Sequence, residues 1–170
     1  SLETTMKTNQ LTQLDAEILR KWSRLQSNAI LIEGFTPEEY PSTVDRLSGY
    51  MQKRNNHLSL DFLEIIGQDL MEVSQRLKQV KSLWVYNIDL FGWGIKPETA
   101  TQFMGILRGA QTSEEMSQLV FARPQANLDY DSRPGYTYLN NHPLGTWFNE
   151  FYMIENGELT SLTSPIQHRK

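Results

Sequence analysis

The sequence contains no cysteine, which excludes disulfide bonds, thiolate nucleophiles and cysteine-bound metal ions. It also lacks an apolar run that approaches the roughly 18 consecutive residues of a membrane-spanning helix. Basic residues are not in excess, since the formal net charge is −4, and this argues against nucleic-acid binding. These absences predict a cytoplasmic protein without a membrane span. The polar residues 1–10 leave a secreted effector open as an alternative.

Motifs that would identify a catalytic or cofactor-binding site are missing as well. His57, His142 and His168 are scattered, and none lies at metal-ligand spacing from another histidine. The sequence has no P-loop, no G-x-G-x-x-G and no G-x-S-x-G pattern. A Ser–His–Asp triad is assembled in space, so the sequence leaves it open. We expect neither a metal ion nor a cofactor, and we favour a non-catalytic protein over an enzyme.

A heptad pattern dominates the middle of the chain. Between residues 59 and 84, apolar residues alternate at spacings of three and four: Leu63, Ile66, Leu70, Val73, Leu77, Val80 and Trp84. Ser59 is placed as an N-cap, and Leu58 and Leu63 are placed as a hydrophobic staple. The pattern predicts one long helix over about 59–81 that packs in an intramolecular bundle, with a coiled-coil dimer as the alternative.

Capping signals predict further helices before this segment. Thr12 and Asp15 are placed to start a helix that runs to about residue 27. Thr36-Pro37 starts a short helix, and a second one begins near Ser42. Between them, residues 29–32 are compatible with a strand or with the last turn of the first helix.

The segments after the long helix are harder to assign. Residues 83–91 are compatible with a strand or with a continued helix, and the heptad pattern favours helix to about Val85. A helical hairpin is expected over 97–121, with a tight turn near Gly109.

The C-terminal part is rich in aromatic and β-branched residues, which predicts strands at 135–139, 146–154 and 159–163. Asn156-Gly157 between the last two is the strongest short hairpin signal. The expected fold class is therefore α+β, with a helical N-terminal two-thirds and a small C-terminal antiparallel sheet. The expected organisation is a flexible tail at 1–10, a single domain over 11–166 and a frayed end at 167–170.

Aromatic residues supply the candidate binding site. The predicted strand at 146–154 is apolar on both faces, so one face is left for a partner, a ligand or more protein. The candidate residues are Trp93, Tyr138, Trp147, Phe148 and Tyr152. We expect an interaction or adaptor domain that binds another protein or itself through this aromatic sheet face. A small-molecule-sensing regulatory domain is the alternative.

A short pattern around Arg108 suggests a third function. Gly105-x-Leu107-Arg108-x-x-x-Thr112 resembles the arginine-finger motif of the Rho-GTPase-activating domains of bacterial type III effectors. The resemblance covers eight positions and implies an all-helical domain in which Arg108 neutralises charge in the transition state of GTP hydrolysis. It also implies that Thr112 supports the arginine loop. Capping rules explain the same residues as a helix end followed by a new N-cap.

Overall fold

The chain folds around a six-stranded sheet. The computed structural model describes residues 11–23, 29–54, 56–65, 67–88, 97–113, 116–124 and 148–162. The strands are β1 (Ala29–Glu33), β2 (His57–Asp61), β3 (Ser82–Ile88), β4 (Ser117–Ala122), β5 (Glu150–Glu155) and β6 (Glu158–Leu162). Their order in the sheet is β2-β3-β4-β1-β5-β6, and every neighbouring pair is parallel except β5 and β6.

Helices cover both faces of this sheet. They are α1 (Gln13–Ser23), α2 (Glu39–Met51), α3 (Phe62–Ile65), α4 (Leu70–Leu77) and α5 (Pro97–Ser113). Buried residues of α1 and α2 pack on one face, and buried residues of α3, α4 and α5 pack on the other. The result is a three-layer α/β arrangement. No helix in the described ranges is long and apolar enough to cross a membrane.

This arrangement overturns the predicted fold class. The sheet is large and mostly parallel, and its strands alternate with helices over residues 29–122. The prediction of a helical two-thirds followed by a small antiparallel sheet is therefore wrong. Only the β5–β6 hairpin matches it, where Asn156 and Gly157 both have positive φ as the turn signal requires.

The prediction of one long helix over 59–81 is wrong, and so is the alternative of a coiled-coil dimer, which requires that helix. The segment forms β2, the single turn α3, a turn and the short helix α4 before β3 begins. The break has a local cause, because the Asp69 side chain accepts a hydrogen bond from Met71 N at 2.9 Å and starts α4 there. Leu63, placed in the predicted heptad core, is 45% exposed.

Two further segments differ from their predicted structure. Residues 82–88 form β3, so the strand alternative is correct for them and the helical one is wrong. The hairpin predicted over 97–121 is instead the single helix α5 followed by β4. The chain passes through Gly109 without a turn, since α5 continues to Ser113.

The predicted capping contact of the first helix is confirmed, whereas α2 begins at Glu39 and not at the predicted Thr36-Pro37. Thr12 Oγ1 accepts from Asp15 N and the Asp15 carboxylate accepts from Thr12 N, both at 3.0 Å. Thr36 and Glu39 make the same reciprocal pair. No second helix begins near Ser42, because α2 is continuous from Glu39 to Met51. Residues 29–32 lie in β1, which settles the alternative in favour of a strand.

Candidate functional site

An open pocket of about 540 Å³ lies where β2 and β3 begin. The described residues that line it are Trp22, Met51, Lys53, Arg54, Asn56, Lys81 and Ser82, and we call it the basic pocket. It lies on the side of the sheet covered by α1 and α2, because Trp22 and Met51 belong to the core on that face. Its volume is in the range of about 300–1,000 Å³ that is usual for small-molecule sites.

The described lining residues of the basic pocket carry a net positive charge. Lys53, Arg54 and Lys81 are cationic, and none of its described lining residues is acidic. Cations often follow helix C-termini for structural reasons, since each terminus carries about half a negative charge. Here α1 and α2 both end at the pocket, which accounts for about one negative charge. Three cations outnumber that negative charge, which favours the approach of an anion.

A tight backbone arrangement holds the cationic residues together. Asn56 has φ of 61°, a conformation that asparagine tolerates better than most residues. Its carbonyl oxygen accepts hydrogen bonds from Lys81 N at 2.9 Å and Ser82 N at 3.1 Å. The turn that carries Lys53 and Arg54 is thereby fixed to the start of β3.

A chain of five polar side chains runs from the basic pocket into the protein. His57 lies directly opposite Ser82 in the β2–β3 register. The His57 ring joins two hydroxyls, with Nδ1 2.5 Å from Ser82 Oγ and Nε2 2.9 Å from Ser59 Oγ. Ser59 Oγ lies 3.4 Å from the Tyr86 hydroxyl, which accepts from Ser48 Oγ at 2.5 Å. Ser82 is the member of this chain that lines the pocket.

His57 is neutral at physiological pH. Burial lowers the pKa of His57 from 6.5 to about 4, and the positive charge of Arg54 adds to the shift. The edge-on contact with Trp84, whose ring centroid is 5.7 Å away, contributes to that burial. The neutral ring donates one hydrogen bond and accepts one, so its two nitrogens have different roles toward Ser59 and Ser82.

The opposite edge of the sheet, where the parallel strands end, holds a second group of polar residues. Open α/β sheets usually bind ligands at this edge. Asn87 has φ of 64° and produces a bulge at the end of β3. Its backbone N–H donates to the Tyr40 hydroxyl at 2.8 Å, and its side chain donates to Asp61 at 3.0 Å. Burial raises the pKa of Tyr40, so the phenol stays protonated. These contacts join the ends of β2 and β3 to α2, which gives Asn87 a structural role.

The predicted binding residues are not brought together by the described part of the chain. Trp93, Tyr138 and Trp147 lie outside the described residues. Phe148 and Tyr152 are 6% and 4% exposed, and they pack in the cores on opposite faces of the sheet. Both faces of β5 are thus covered by the chain's own residues.

Arg108 lies on α5, where its side chain is exposed. The motif resemblance implies an all-helical domain, and the six-stranded sheet does not match that fold. The role of Arg108 as an arginine finger stays a prediction.

The residues of the basic pocket were not identified from sequence. No sequence motif marks Lys53, Arg54 or Lys81, and His57 is predicted only as an isolated histidine. Basic residues recur just before β2 and just before β3, at Lys53, Arg54 and Lys81, but this pattern becomes visible only once the strands are located.

Comparison with protein-family models finds no match, and comparison with curated proteins finds none either. Within the described ranges, no group of three or more histidine, aspartate or glutamate residues is placed to hold a metal ion. The geometry of the basic pocket is therefore the basis for a functional proposal.

Proposed function

We propose that this chain is a regulatory domain that senses a small anionic molecule in the basic pocket and does not transform it. The observation that carries the proposal is the pocket of about 540 Å³ with three cations and no acid among its described lining residues. An anion that enters this pocket gains Coulomb energy from side chains on two separate segments of the chain. An adaptor function through an aromatic sheet face has less support, because Phe148 and Tyr152 are buried on opposite faces of the sheet.

The contacts around Ser82 favour binding over catalysis. Ser82 and His57 have the spacing of a nucleophile and its base, but a histidine with a pKa of about 4 is a weak base at neutral pH. The Ser82 backbone N–H donates to Asn56 O, so it is not available to stabilise an oxyanion during acyl transfer. Ser82 therefore suits the recognition of a ligand better than nucleophilic attack.

Calorimetric titration with inorganic pyrophosphate and with citrate tests the proposal. Lys53→Met and Lys81→Met should each weaken binding about fivefold, because one cation about 4 Å from an anion contributes about 1 kcal/mol in water. Binding should also weaken as salt is added. Lys78→Met is the matched control, since Lys78 is exposed and does not line the pocket.

Two results would contradict the proposal. One is the absence of binding by either anion to the unmodified chain. The other is an equal loss of affinity in Lys78→Met, which would indicate a general charge effect in place of a site.

The interaction through the aromatic sheet face stays a prediction. Phe148 and Tyr152 pack against residues of this chain on both faces of the sheet. A partner could contact them only after the residues packed against them moved away, which would expose part of the core.

A further inference from the structure

We infer that the basic pocket recognises an oxyanion, a phosphate or carboxylate group, through a hydrogen bond that the Ser82 hydroxyl donates. The inference rests on the proposed function and adds the atom that makes the contact and the kind of group that it contacts. Its basis is the direction in which hydrogen bonds run along the chain Ser48–Tyr86–Ser59–His57–Ser82.

The direction is set at the Ser48 end of this series of hydrogen-bonded side chains. Ser48 Oγ donates to the Tyr86 hydroxyl oxygen. Burial raises the pKa of Tyr86, so its phenol keeps a hydrogen that needs an acceptor. Within the five-residue series, the remaining acceptor for this hydrogen is Ser59 Oγ, which lies 3.4 Å from the Tyr86 hydroxyl. The Ser59 hydrogen then points to His57 Nε2, its nearer neighbour at 2.9 Å.

The order of donors then fixes the tautomer of His57. A neutral ring whose Nε2 accepts from Ser59 carries its hydrogen on Nδ1. Nδ1 therefore donates to Ser82 Oγ at 2.5 Å. The hydroxyl hydrogen of Ser82 is then not used by any of the five side chains in this series. It is available to a group in the pocket.

The reverse order is unfavourable. If Ser82 donated to His57, then His57 would donate to Ser59 and Ser59 to Tyr86. Tyr86 would accept from Ser48 and Ser59 together, and its own hydrogen would have no acceptor within the five-residue chain. A buried polar group without a partner is a costly arrangement.

The chemistry of the pocket explains why the acceptor is an oxyanion. A hydroxyl that accepts from a polarised chain is a stronger donor, because successive hydrogen bonds reinforce one another. Donation to an ionised oxygen gives the shortest and strongest hydrogen bonds of this kind. Lys53, Arg54 and Lys81 supply the charge that holds such a group beside Ser82.

The first test needs no ligand. Nitrogen-15 NMR of the unmodified chain at pH 7 distinguishes the two neutral tautomers of His57, with His57→Gln used to assign the signals. We expect the hydrogen on Nδ1. A hydrogen on Nε2 would overturn the inference and leave the proposed function standing.

The second test uses inorganic pyrophosphate and citrate as probes. Ser82→Ala should weaken the binding of both about tenfold or more, since a hydrogen bond to a charged group is lost. Ser161→Ala is the matched control, because Ser161 is exposed on β6 and does not line the pocket. His57→Asn, which keeps a donor near the position of Nδ1, should retain more affinity than His57→Gln.

The outcomes separate the two claims. Equal affinity of Ser82→Ala and the unmodified chain would overturn the role of Ser82 while the pocket still binds anions. Failure of the unmodified chain to bind either probe would contradict the proposed function and, with it, this inference.

Discussion

Lowering the pH from 7 to 4 should destabilise the fold through His57. In the folded state the pKa of His57 is lowered from 6.5 to about 4 by burial and by Arg54. Between these two values the unfolded chain binds a proton that the folded chain does not. Stability contributed by neutral His57 is therefore present above pH 6.5 and is lost as the pH falls toward 4.

The size of the effect follows from the two pKa values. A difference between 6.5 and about 4 corresponds to at most about 3 kcal/mol. His57 is only half-buried, so solvent screening reduces the expected loss to about 1 to 2 kcal/mol. Such a loss is a substantial fraction of the roughly 5–15 kcal/mol that stabilises a typical domain.

Urea unfolding at pH 7, 5.5 and 4.5 measures this loss when the unmodified chain is compared with His57→Gln. Glutamine does not titrate, so the free energy of unfolding of the variant should fall less on acidification. Contributions from carboxylates and from the other histidines are common to both proteins and cancel in the comparison.

The reasoning would be refuted if both proteins lost the same free energy between pH 7 and 4.5. A folded-state pKa of His57 near 6.5, measured by NMR titration, would refute it independently. Arg54→Gln offers a further check, because removal of this cation should raise the pKa of His57 while burial still holds it below 6.5.

Two other substitutions test contacts of the fold outside the basic pocket. Gly34→Ala should destabilise the fold by about 2 to 5 kcal/mol in urea unfolding. The reason is that φ of Gly34 is +93° and an added Cβ would lie 2.8 Å from the Ile154 carbonyl oxygen. A loss below about 1 kcal/mol would show that this close approach is not tight. Arg46→Met should cost about 3 kcal/mol or more, because it removes the cation that lies 2.5 Å from the fully buried Asp15 carboxylate. Arg46→Lys should recover part of that loss, and an unchanged unfolding midpoint in Arg46→Met would contradict the role of the ion pair.

Features that depend on a few neighbouring residues could be predicted from the sequence. The capping contact of Thr12 with Asp15 spans three residues and forms as expected. Thr36 is predicted only as a cap, and it forms a contact of the same span with Glu39. The Asn156-Gly157 turn is equally local, since its signal is the tolerance of both residues for positive φ. None of these predictions required knowledge of what the element packs against.

The long-helix prediction failed because its apolar spacing has two sources. Val73 and Leu77 are core residues of the real helix α4, whereas Trp84 belongs to β3 and packs on the opposite face of the sheet. Strands of a parallel sheet are buried on both faces, so β3 shows an apolar run in place of alternation. Such a run continues a helical pattern by coincidence of spacing, and periodicity alone does not distinguish the two.

The basic pocket could not be predicted because it depends on strand register. His57 and Ser82 are 25 residues apart and meet only because β2 pairs with β3 in parallel at that register. Side chains alternate between the two faces of a strand, so a shift of one residue would turn His57 to the face covered by α4. The hydrogen-bond chain would then be broken, and Ser82 would lose the partner that orients it. The site is thus a property of the β2–β3 pairing, and a local pattern of residue types does not contain that information.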